Sequence, residues 1–254
     1  MLNDVKNQDP EAICSLLPVN VNRNVMMNRE APPFNDPDLR RAITLSLDRK
    51  AFVDTLTLGK GDFGGVMQPP PEGIWGMPPE VLKTLPGYDP DVPKNRAEAR
   101  QLMEKLGYRT DKRLAIKVST RNVQPYRDAA IILIDQLKEI YIDGELEVVD
   151  TVQWFPKVMR GDYTVGLNLT GNGLDDPDQT LYENFTCGAE GNYDRYCNPE
   201  LDKMVTGSRW NSTRRSARSW CGRLNASWRK TRPDRSSGTT APGRVGIPTS
   251  RATR

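Results

Sequence analysis

The chain has 254 residues, 27% of them charged, no histidine, and a net charge of +3. The missing histidine excludes Ser-His-Asp and Cys-His catalysis together with every His-based zinc site. No window approaches the roughly eighteen uninterrupted apolar residues of a membrane span, and the start, "MLNDVKNQDPEAICSLLP", lacks a basic region followed by an apolar one, so no segment is expected to direct export. The small net charge hides a division. Residues 206–254 hold eleven Arg and one Lys against Asp234, a net +11, which leaves −8 on the rest. Such asymmetry is the usual mark of an arm for nucleic acid or an anionic surface.

In chain order, the first readable element is "NDPDLRRAITLSLDRKAFVDTLTLGKG". Asn35 and Asp36 stand near an N-cap, and Leu39, Ile43 and Leu47 are spaced for one helical face. Asp48 can cap a second helix that ends before Gly59. The Gly59–Gly64 run formally matches a dinucleotide fingerprint, but it follows a helix and leads into a Pro-rich stretch, so it reads as a glycine turn. That stretch, "VMQPPPEGIWGMPPEVLKTLPGYDPDVP", forbids a long helix or central strand and reads as an ordered surface loop.

Next, "NRAEARQLMEKLGY" predicts a helix capped by Asn95, with Ala99, Leu102, Met103 and Leu106 as its apolar stripe and Gly107 as its stop. "RLAIKVST" alternates as a strand, and "YRDAAIILIDQLKEIYI" returns to helical spacing. After Gly144, "ELEVVD" predicts a strand, "TVQWFPKVMRGD" a short helix with Pro156 in its first turns or distorting it, and "YTVGLNLTG" a strand. Alternating strands and helices predict an α/β fold with a parallel or mixed sheet.

In an open sheet of this kind the ligand crevice lies beyond the carboxyl ends of the strands. That rule selects Thr120, Arg121 and Asn122, then Asp150 and Thr151, then Thr170 to Asn172. The acidic run "LDDPDQ", with Asp175, Asp176 and Asp178, lacks the glycine and distal glutamate of an EF-hand loop and reads as a capped turn or the acidic lip of a cleft. Cys187 and Cys197 close a loop of Gly, Asn and Tyr. Their spacing suits a disulfide better than zinc, since no second cysteine pair completes a site; two free thiols are the alternative. No nucleophile with an oxyanion donor is legible, so no enzyme is expected.

Three motifs, "FNDPDLRRAITLSLDRKAFVDTL", "YDPDVPKNRAEARQLMEKLGY" and the stretch from "LAIKVSTRN" to "MRGDYTVGLNL", are specific in order and spacing together. From about Asn22 to Val205 the chain resembles the C-terminal portion of the family of bacterial extracellular solute-binding proteins that take oligopeptides, dipeptides and nickel for ABC importers. The resemblance implies a periplasmic-binding-protein-like lobe, incomplete, with a mixed sheet flanked by helices and a disordered basic tail. It divides the chain into residues 1–29, a remnant of the first lobe or of the segment between lobes; 30–205, the C-terminal lobe; and 206–254, the tail. It implies a peptide or other small solute as ligand, a permease at the inner membrane as partner, a periplasmic location, and no cofactor or metal. It implies a pocket between lobes, formed partly by polar loops at strand ends, and on that basis Thr120, Arg121, Asn172 and Asp175 are the candidate ligand contacts. Gly173 stands where peptide receptors of the family offer an acid to the peptide amine, a departure that weighs against a peptide.

Members of the family continue past Val205 with an amphipathic helix. Here the tail has no period, three of the five tryptophans, and almost no Leu or Ile. A permissible set of codons for Ser219 to Thr231, regrouped by one base, reads Leu-Val-Trp-Glu-Ile-Glu-Arg-Lys-Leu-Ala-Glu-Asp, an amphipathic helix. The tail is therefore expected to be an out-of-frame reading that cannot bury enough apolar surface to fold. The chain is accordingly expected to be a truncated, impaired receptor. The alternative is nucleic-acid or anionic-surface binding through the Arg-rich tail, in which Arg meets phosphate and Trp stacks on bases, although no specific nucleic acid is expected.

Overall fold

The computed structural model describes residues 7–9, 11, 15–57, 59, 61, 79–171, 177–209 and 247–253. Five strands form one mixed sheet: β1 (Ser15–Met27), β2 (Leu114–Arg121), β3 (Ile142–Val149), β4 (Val165–Gly171) and β5 (Ile247–Thr253), in the order β3-β2-β4-β1-β5. β2 runs parallel to β3 from Leu114↔Ile142 to Arg121↔Val149, and parallel to β4 from Val118↔Val165 to Thr120↔Leu167. β1 lies antiparallel to β4 from Val21↔Gly171 to Met27↔Val165. The eight described helices are α1 (Pro37–Ser46), α2 (Arg49–Thr57), α3 (Pro79–Leu82), α4 (Val92–Lys105), α5 (Gln124–Lys138), α6 (Thr151–Arg160), α7 (Pro177–Phe185) and α8 (Pro199–Arg209).

The α/β reading holds, with four differences. β1 is a central strand where no strand was expected. Its sequence alternates Asn20, Asn22 and Asn24 with Val19, Val21, Arg23 and Val25, a strict period of two in which the polar set hides the pattern. β3 starts before Gly144 rather than after it; a Cβ on Gly144 would sit 2.9 Å from Ile134 Cγ1, so the bare backbone lets α5 lie close. α4 is capped by Asp91, whose carboxylate accepts from Lys94 N at 3.1 Å, and not by Asn95, which lies inside the helix and donates to Asp89 O at 3.0 Å. Pro93 fits the first turn, where its missing N–H has no role, so the helix begins ahead of it.

The fourth difference concerns the tail. Residues 206–209 extend α8, and residues 247–253 pair with β1 as an antiparallel edge strand, with Ser15↔Thr253 and Arg23↔Ile247, so those seven residues are not without fold as expected. Pro248 falls on this edge, where a missing N–H costs the ladder least. The tryptophans of the tail, Trp210, Trp220 and Trp228, lie outside the described residues, as does the first part of the Pro-rich stretch, residues 66–78.

The core sits between the sheet and α1, α2, α4 and α5. Val25, Met27, Val118, Val165 and Leu167 meet Ala129, Ala130, Leu133 and Leu137 of α5, all fully buried. The opposite face is covered by α6, where Trp154 and Val158 pack with Met26 and Tyr163. Asp150 caps α6 by accepting from Val152 N at 2.8 Å, and Gly161, at φ 73°, ends it; the helix continues through Pro156. α7 and α8 join through Leu181, Phe185, Leu201 and Val205.

Candidate functional site

Strand alternation sorts the residues at the carboxyl ends of β2 and β4. Thr120 falls on the α5 face. It is fully buried, and its Oγ1 donates to Leu167 O at 3.2 Å, so it braces β2 against β4 instead of facing a ligand. Arg121 falls on the α6 face. Its guanidinium lies 5.0 Å from the centroid of the Tyr126 ring and 5.5 Å from that of Phe155, and Nη1 donates to Tyr126 Oη at 3.1 Å. Its Nε is buried without a hydrogen-bond partner. Asn172 and Asp175 lie outside the described residues.

Of the remaining strand-end residues, Asp150 is committed to the α6 cap, Asn122 accepts from Arg127 Nη1 at 2.8 Å, and Thr170 Oγ1 accepts from Asn24 Nδ2 at 2.8 Å. The last contact exposes what sequence reasoning missed. Because β1 lies beside β4, Asn24 pairs with Asn168 and Asn22 with Thr170 on the same face as Arg121. Asn22, Asn24 and Asn168 are all buried, yet Asn22 Oδ1 and Asn168 Oδ1 have no hydrogen-bond partner. The alternating asparagines of β1 were the available signal.

On the other face, Arg23 is buried beneath the first turns of α5. Burial pushes its pKa down, and the charge of Asp128, with Tyr126, opposes the fall. The site therefore combines a guanidinium held between two aromatic rings with a row of buried amides whose acceptors are unmet. A buried polar group without a partner costs about 1–3 kcal/mol, and this row holds two such acceptors beside the unmet Nε of Arg121. Among the described residues it offers no base-activated nucleophile.

The loop from Cys187 to Cys197 meets β1 away from this row, at Met27. The two cysteines are joined as a disulfide, with Cα atoms 4.5 Å apart. Asp194, 1% exposed, accepts from Met27 N at 2.9 Å and so ties the loop to the end of β1. Arg29 lies 4.9 Å over the ring of Tyr196, one residue before Cys197.

The family model of the bacterial extracellular solute-binding proteins, family 5 Middle, matches residues 3–192. The chain is similar to the "Probable di/tripeptide-binding protein 5" of Pseudomonas aeruginosa, 25% identical over 192 residues that make up 71% of this chain and 33% of the relative. It is also similar to the "Probable D,D-dipeptide-binding periplasmic protein DdpA" of Escherichia coli, 27% identical over 182 residues, 70% of this chain and 33% of the relative. Among solved structures, Haemophilus influenzae OppA in complex with the peptide RPPGFSPFR matches with a TM-score of 0.82 at 18% identity, over 98% of this chain and 46% of that one. NikA from Staphylococcus aureus in complex with Ni(L-His)2 matches with a TM-score of 0.78 at 15% identity, over 98% of this chain and 50% of that one. The chain thus spans about a third of the length of these curated relatives and about half of the solved chains. At such identities the solved structures speak for the fold.

Proposed function

Because the chain belongs to the bacterial extracellular solute-binding proteins, family 5, we propose that it contributes the solute-receiving surface of an ABC importer's binding subunit, for peptides or solutes of similar size and polarity. A membrane permease is the partner to which the solute passes. The observation that carries this reading is the row of Arg121, Asn168, Asn24 and Asn22 at the carboxyl end of the sheet, with buried acceptors on Asn22 and Asn168 and a buried donor on Arg121 left unmet. A peptide backbone supplies both donors and acceptors. Arg121 is the direct contact in this reading and Thr120 a positioning residue, while Asn172 and Asp175 are proposed as contacts from their place in the sequence after β4.

Calorimetric titration of the full chain with short peptides, beside the Arg121→Ala and Asn168→Leu variants, tests the reading. A clamp that closes over its solute uses two lobes, and this chain holds a third of its relatives' length. Weak binding that both variants abolish is the expected result. Binding that neither variant alters overturns the site, and tight stoichiometric binding overturns the expected impairment.

Residues 206–254 are read as an out-of-frame continuation of the gene, on the strength of their charge, their lack of period and the regrouped codons. The pairing of residues 247–253 with β1 counts on the other side. The nucleotide sequence across Leu201 to Thr231 tests it: an alternative frame that continues an amphipathic helix supports the reading, and frames that all stop or read as noise overturn it.

A further inference from the structure

α6 is apolar on two sides. Trp154 and Val158 point into the molecule and pack with Met26 and Tyr163. Val152, Phe155, Pro156 and Met159 recur at i, i+3, i+4 and i+7, the spacing of a second helical stripe, and all four are exposed. Val152 is 76% exposed and Met159 51%. The helix is already anchored by its buried pair and closed at its ends by Asp150 and Gly161, so the outer stripe is not needed to hold it in place. Apolar residues scattered singly over a surface are ordinary, whereas a continuous exposed row marks a contact surface.

The stripe runs away from the strand-end site. Val152 stands in the first turn, just after the carboxyl end of β3, and Met159 in the last, beside Gly161, whose carbonyl accepts from Asn28 Nδ2 at 2.9 Å past the far end of β1. At ~1.5 Å per residue they are about 10 Å apart along the axis. A second lobe closing over the strand ends would meet Val152 and leave Met159 bare, so a closed clamp does not account for the whole stripe. The stripe is, however, complementary to itself. About a two-fold axis between Phe155 and Pro156, an antiparallel pair of α6 helices sets Val152 of one copy against the partner's Met159, and Phe155 against the partner's Pro156. The ends of the helix also differ in sign, with the exposed Asp150 at its start and the exposed Arg160 in its last turn. Antiparallel pairing brings each end to its opposite and aligns the helix dipoles favourably, whereas parallel pairing would set like against like.

We propose that the outer face of α6 is a contact surface for a second copy of this chain, forming a two-fold dimer through antiparallel α6 helices. One short helix from each side buries less than the ~1,200–2,000 Å² of a stable complex, so the dimer is weak and forms at high concentration.

The test is sedimentation equilibrium of the full chain over a concentration series, with NMR of labelled methionine methyl groups to report on Met159. A monomer–dimer equilibrium is expected, with a Met159 methyl shift that follows the dimer fraction. Val152→Asp and Met159→Lys suit the folded helix, since an acid in the first turn and a base in the last both complement its dipole, and their thermal melts are expected to stay near that of the parent. Each puts an unpaired charge into the apolar contact and is expected to weaken dimerisation about tenfold or more. The double variant sets the new acid of one copy against the new base of the other and is expected to dimerise about threefold or more better than either single variant. Within one helix the two positions are two turns apart and out of each other's reach, so that recovery reports the antiparallel register. Phe155 and Arg121 are untouched, which keeps the test separate from the strand-end site. A chain that stays monomeric, a dimer indifferent to both single variants, a dimer that leaves the Met159 methyl unmoved, or a double variant no better than the singles each overturns the proposal.

Discussion

The two faces of the sheet are built from the same strands and end up unlike. Towards α5, the fully buried Val25, Met27, Val118, Val165 and Leu167 find apolar partners, and Thr120 beside them has its hydroxyl bonded to Leu167 O. Towards α6, that complementarity lasts only as far as Met26, Gly166 and Trp154, where a Cβ on Gly166 would sit 2.9 Å from Met26 Cε. Beyond it the face turns to Asn24, Asn168 and Asn22, which are also buried, and to the half-buried Thr170, with two side-chain acceptors unmet. Depth of burial alone therefore does not separate core from site; the row is set apart by its run of amides, whereas Trp154 Nε1 is an isolated unmet donor within an apolar cluster.

The largest test of this contrast is truncation of the apolar part of each face. Trp154→Ala on the α6 side is expected to cost about 3–5 kcal/mol and Leu133→Ala on the α5 side about 2–5 kcal/mol, both read from urea denaturation. Equal tolerance of Trp154→Ala and a surface substitution would show that α6 is not docked as described. Next comes the disulfide. Replacing both Cys187 and Cys197 by Ser opens a loop of sequence separation 10 and is expected to cost about 2–3 kcal/mol. Hydrogen exchange should then rise at Met27 N, which Asp194 of that loop accepts from.

Asn168→Leu sharpens the contrast from the polar side. Removing an unmet buried acceptor is expected to leave stability within about 1 kcal/mol of the parent, or raise it, while solute binding falls. A loss as large as that of Leu133→Ala would mean that the amide is structural. The smallest effect is in pH. Burial raises the pKa of Tyr196 above 10.0, so the fold favours the neutral phenol. Its contribution is fully present below pH 10 and is lost as pH rises through the folded value. Near-ultraviolet dichroism should show the loop loosening on that side of pH 10, and Tyr196→Phe should remove the effect.

Much of this was legible in the residues. The apolar spacing of Leu39, Ile43 and Leu47, of Ala130, Leu133 and Leu137, and the alternation of Ile116 and Val118 placed α1, α5 and β2 close to where they lie. Arg121 was selected from its position after a strand, and Thr120 beside it, although alternation puts the two on opposite faces and commits Thr120 to the interior. Asn95 was misplaced as a cap because Pro93 reads as a breaker when it is in fact an acceptable first-turn residue.

What the sequence by itself determined is the set of elements whose apolar residues recur at 3.6 or 2, since that periodicity is a local property of the backbone. Only the tertiary structure decided that β1 lies beside β4, bringing Asn24 to Thr170 across 146 residues, and that Arg49 and Gly87, 38 apart, meet. Which polar groups lose their water depends on neighbours remote in the chain. No local pattern can state that, and the strand-end site is defined by it.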